Sequence, residues 1–70
     1  MEINLNGSLV EVDEDITLKT LIDLHFASLL DQPVLLAASV NQVIIKRSDW
    51  DKKILFEKDS VVVIKGTFGG

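Results

Sequence analysis

The chain has 70 residues, one histidine, no cysteine and a formal net charge of −4, and 47% of its residues are hydrophobic. That length holds one domain at most, and the apolar share places it among folded chains. Disulfides, a cysteine-ligated zinc site and a thiol nucleophile are excluded. An acidic chain without a basic stripe also argues against nucleic-acid binding and for steering toward a basic protein surface.

Met1, Ile3 and Leu5 alternate with Glu2, Asn4 and Asn6, the period of a half-buried strand. Asn6-Gly7 follows and is the strongest short hairpin signal, because both turn residues must tolerate positive φ. Val10 and Val12 alternate with Glu11 and Asp13 and give the return strand. No charged region followed by an apolar run opens the sequence, so no signal peptide is expected. The lack of cysteine fits a reducing cytoplasm.

Asp13-Glu14-Asp15 reads as a solvated acidic loop, without the spacing or glycine of a calcium site. Thr17 is an N-cap for a helix over 18–27. Leu18, Leu21 and Ile22 fall on one face at helical spacing, with His25 and Leu29 as possible extensions of it. Residues 34–40 read as a strand apolar on both faces, far too short to span a membrane. Asn41-Gln42 is a turn, and Val43, Ile44 and Ile45 form another strand. Residues 47–53 are a polar connection carrying Trp50. Ile54, Leu55 and Phe56 are a short apolar turn or bridge, and residues 61–64 form the last strand.

Strand, strand, helix, strand, strand, strand is the order of an α+β, ubiquitin-like β-grasp fold. It implies a mixed sheet of four to five strands with one main helix packed on one face. The expected inward set is Met1, Ile3, Leu5, Val10, Val12, Val61 and Val63 against Leu18, Leu21 and Ile22. Yet Val62 and Ile64, of opposite parity, are apolar as well. One helix covers one face only, so these two residues mark an exposed apolar face suited to docking a partner. The competing expectation is that the loop of Trp50 and Phe56 folds over part of that face.

Catalytic constellations are thin. His25 has no evident acid-base partner, and no glycine-rich loop leads into a helix. The expectation is a protein that is not an enzyme, binds no metal and holds no cofactor. The domain is read as residues 1–65, with 66–70 as a flexible tail of Gly66, Thr67, Phe68, Gly69 and Gly70. A free carboxylate at Gly70 has one useful chemistry, which is activation followed by nucleophilic attack. Glycines without Cβ let a narrow partner channel approach the backbone, where the tail can pair as an added strand, with Phe68 as an anchor.

Several stretches together resemble the ThiS family of sulfur carriers over nearly the whole chain. They are Ile3-x-Leu5-Asn6-Gly7, Thr17-Leu18-x-x-Leu21, Ala38-x-Val40-Asn41, Arg47-Ser48-x-Trp50, Asp59 before the last strand, and Gly69-Gly70. The resemblance implies a C-terminal diglycine whose Gly70 carboxylate is adenylated, at the expense of ATP, by a partner of the ubiquitin-activating-enzyme type. A sulfur-transfer enzyme would convert it to a thiocarboxylate, and thiazole synthase would take the sulfur into thiamine biosynthesis. Trp50 is read as a loop anchor, with Arg47 and Ser48 as polar support. Three alternatives stay open: a carrier of the molybdopterin-synthase small-subunit type, a ubiquitin-like binding module with an inert tail, and a modifier conjugated to lysines.

Overall fold

A computed structural model describes residues 1–30 and 34–67 of the chain. The first hairpin forms where alternation and turn chemistry put it. Strand β1 (Glu2–Leu5) pairs antiparallel with β2 (Ser8–Glu11), and Leu5 lies opposite Ser8. Asn6 and Gly7 take φ of 52° and 88°, as a two-residue turn matched to strand twist requires. The Asn4 side-chain oxygen accepts from the Gly7 N–H at 2.8 Å and closes the turn. Val12 lies beyond β2 but still pairs with the sheet, since its N–H donates to the Met1 carbonyl at 2.8 Å.

The helix begins as its cap dictates. Thr17 is extended (φ −91°, ψ 160°), and its hydroxyl oxygen accepts from the Thr20 N–H at 3.2 Å. Helix α1 (Leu18–His25) then buries Leu18, Leu21 and Ile22 completely, a burial of about 2 kcal/mol for each side chain. It ends two residues before the expected boundary. Phe26 leaves helical geometry (φ −129°, ψ 24°), and its half-buried ring packs against the core. A short turn of helix, α2 (Ala27–Leu30), follows. His25 does not extend the apolar face, because it is exposed to solvent.

Strands β3 (Val34–Val40) and β4 (Val43–Ile45) form a second hairpin across Asn41 and Gln42, whose φ values are 51° and 71°. The last strand, β5 (Ser60–Thr67), runs through the middle of the sheet. The strand order is β2-β1-β5-β3-β4, with β1 and β5 parallel and every other pair antiparallel. This is the expected β-grasp: a five-stranded mixed sheet with one main helix on one face.

The connection from β4 to β5 completes the core. A 3₁₀ turn (Arg47–Asp49) leads into Trp50, which is only 3% exposed. Its indole N–H donates to the Ile45 carbonyl at 3.0 Å, as a buried tryptophan requires. The Leu18 and Lys19 N–H groups, orphaned at the start of α1, donate to the Lys53 and Trp50 carbonyls at 2.8 and 3.0 Å. Ile54 bridges to Thr17, and Leu55 is buried. The expected inward residues Ile3, Leu5, Val61 and Val63 are buried, joined by Ile16, Ala38 and Val40. Met1, Val10 and Val12 pack at the margin. None of the described residues is a buried polar or charged side chain.

Candidate docking face and the strand that leads to the C-terminus

The far face of the sheet is built by strand parity. Val61 and Val63 point at the helix, so Val62 and Ile64 point away from it. Register brings their neighbours to the same side: Ser39 lies opposite Val62, Ala37 opposite Ile64, and Ile44 opposite Ser39. Val62, Ile64 and Ile44 are 43%, 61% and 78% exposed, and Leu35 is exposed beside them. A shallow groove of about 110 Å³ runs between Ala37, Ser39, Ile44, Val62 and Ile64.

The expected competitor for this face does not reach it. Trp50 is inside the core on the helix side, and Phe56 stands 65% exposed. Among the described residues, therefore, none covers the apolar face.

Strand β5 corrects the expected start of the tail. Gly66 and Thr67 belong to the strand, where they lie opposite Leu35 and Val34. Lys65-Gly66 reads as a strand end because glycine is a poor strand former. Pairing along the whole of β3 overrides that local preference. Of the five residues read as tail, Phe68, Gly69 and Gly70 lie outside the described residues.

Three polar side chains hold β5 in place. The Asn6 amide pairs with the backbone of Val63 on both sides: its oxygen accepts from the Val63 N–H at 2.8 Å, and its nitrogen donates to the Val63 carbonyl at 3.2 Å. The Asn41 oxygen accepts from the Ser60 N–H at 2.9 Å, while its nitrogen donates to the Asp59 carboxylate at 3.0 Å. The second Asp59 oxygen accepts from the Phe56 N–H at 2.8 Å. The Arg47 guanidinium lies 5.4 Å from the centroid of the Trp50 ring.

A concavity of about 640 Å³ lies between β2 and the start of α1, where Glu11, Asp13, Asp15 and His25 line it. All four are exposed, and the described residues include no cluster with metal-ligand geometry. No described helix is long and apolar enough to cross a membrane.

Comparison with known proteins separates a family from a shared fold. The ThiS family model matches residues 3–70. The chain belongs to the ThiS family. Among solved structures it is similar to the thiamine biosynthesis protein (ThiS) of Geobacter metallireducens, with a TM-score of 0.78. The two are 21% identical, and the similarity covers 100% of both chains. None of the curated proteins matches the chain. In this member of the ThiS family, Asn6, Asn41, Asp59 and Trp50 all hold backbone. Asn6 and Asn41 bond directly to the backbone of β5, Asp59 to Phe56 in the connection before it, and Trp50 to Ile45 in β4.

Proposed function

We propose that the protein is a sulfur carrier of thiamine biosynthesis that acts as a co-substrate of partner enzymes, with the Gly70 carboxylate as its working group. The match to the ThiS family, which runs through residue 70, is the observation that carries this reading. It favours the thiamine branch over the molybdopterin one. A carboxylate is a poor electrophile until one oxygen becomes a good leaving group. A ubiquitin-activating-type enzyme would supply that through ATP: the carboxylate attacks the α-phosphorus, pyrophosphate leaves, and an acyl-adenylate remains. A sulfide-level nucleophile from a sulfur-transfer enzyme then displaces AMP and leaves a thiocarboxylate. Thiazole synthase would take the sulfur from it. Such chemistry belongs in the cytoplasm, where ATP and reduced sulfur are found.

The uncovered face gives these partners a common handle. Val62, Ile64 and Ile44 form an apolar patch beside the strand that leads to Gly70. Docking there would bring the reacting end within a fixed reach of each active site in turn. Appending one alanine after Gly70 tests the reading, because it moves the carboxylate by a residue. The extended protein is expected to fold normally and to support no thiazole formation. Full activity of the intact extended protein would refute the carrier role and favour a binding module with an inert end.

A further inference from the structure

Among the described residues, the end of β5 is paired on one side only. The Asn6 N–H donates to the Val61 carbonyl at 2.9 Å, and the Asn6 amide holds both backbone groups of Val63. The backbone groups of Val61 and Val63 thus face β1, and strand alternation turns those of Lys65 and Thr67 the same way. Strand β1 stops at Leu5, however, and the Asn6 side chain fills the last position of its ladder. Beyond it, Lys65 and Thr67 hold their N–H and C=O groups outward with no partner among the described residues.

We propose that this open edge, at Lys65 and Thr67, accepts an extended segment of the adenylating partner as an added strand; the proposal rests on the sulfur-carrier reading above. Two observations select that occupant. First, the edge directly precedes in sequence the residues that carry the proposed chemistry, so a strand added there would hold the chain at the point that leads to them. Main-chain pairing of this kind holds a partner without demanding a particular sequence. Second, Lys65 is charged yet has the parity of the buried Val61 and Val63. An inward-facing charge on an edge opposes self-pairing. Two copies joined edge to edge would bring both Lys65 ammonium groups onto one face of the combined sheet. The edge is thus protected against a second copy, while its backbone, without a partner among the described residues, can pair with a different chain.

Amide hydrogen exchange, read at single residues, tests the proposal. The protein is compared alone and saturated with the adenylating enzyme of its own thiamine pathway. Exchange at Lys65 and Thr67 is expected to slow by roughly tenfold or more on binding, as the open donors acquire acceptors. A pair of variants gives an independent reading. Lys65→Ala keeps the outward N–H, whereas Lys65→Pro removes it at a position where an edge tolerates proline. Lys65→Pro is expected to bind the enzyme roughly tenfold more weakly than Lys65→Ala. Should Lys65→Pro fail to fold, exchange on the wild-type chain decides alone. Unchanged exchange at both residues in a complex that still converts Gly70 would overturn the edge proposal and leave the carrier reading standing. Protection that appears with rising concentration of the protein alone would overturn it in favour of a second copy. A chain that neither binds the enzyme nor gains sulfur would refute the carrier reading and this proposal together.

Discussion

Replacing Asn6 separates the two tasks this residue performs. Asn6→Gly keeps the backbone free to adopt the observed φ of 52° but removes the amide. The Val63 N–H and C=O then lose their partners, at 2.8 and 3.2 Å in the wild type. Both bonds are partly buried, so water compensates in part, and the loss is about 1 kcal/mol for each. Asn6→Ala adds the cost of holding a Cβ-bearing residue in left-handed geometry, about 1 kcal/mol more. The expected losses are therefore about 2 kcal/mol for Asn6→Gly and about 3 kcal/mol for Asn6→Ala. A domain of this size has only about 4–10 kcal/mol in total. The corresponding falls in melting temperature are about 8–16 °C and 12–24 °C. Urea denaturation at fixed pH, with calorimetry alongside, measures both. Losses below about 0.5 kcal/mol for both variants would show that the Asn6 amide does not anchor β5.

Three other expectations follow from burial and register. Trp50→Ala removes a side chain that is 3% exposed and should cost about 3–5 kcal/mol, leaving much of the population unfolded at 37 °C by circular dichroism. Val62→Asp, on the uncovered face, should change stability by less than about 1 kcal/mol yet weaken binding of the adenylating enzyme in calorimetric titration. Global unfolding by that variant would mean that Val62 is needed in the core. Deletion of Gly70 should leave the urea midpoint unchanged and abolish sulfur transfer. A matching loss of stability would make the C-terminal residue structural instead.

Local rules of the chain reach most of the fold. Alternation over Met1, Ile3 and Leu5, the Asn6-Gly7 turn, the Thr17 cap and the parity of Val62 against Val63 each depend on neighbours a few residues apart. What stayed hidden depends on distant partners. Asn6 reads as a turn residue, because its second task joins it to Val63, 57 positions along. Trp50 reads as a loop anchor, but its polar, aperiodic neighbours do not reveal which face of the sheet its ring packs on. Ile16 and Leu55 join the core from two separate loops, which meet where the Leu55 N–H donates to the Ile16 carbonyl at 2.9 Å. Likewise, β5 extends through Gly66 only because β3 supplies a partner along its length. The uncovered face was legible because it follows from counting: the chain provides one main helix for a sheet that is apolar on both sides.

The central claim is that Gly70 carries sulfur, and an intact-mass measurement addresses it most directly. The protein is incubated with ATP, a sulfide source and a candidate adenylating enzyme, then weighed whole and fragmented. The expected result is a gain equal to the exchange of one oxygen for one sulfur, localised to Gly70 and dependent on ATP. An unchanged mass, under conditions where an established carrier of the same family is converted, would contradict the assignment.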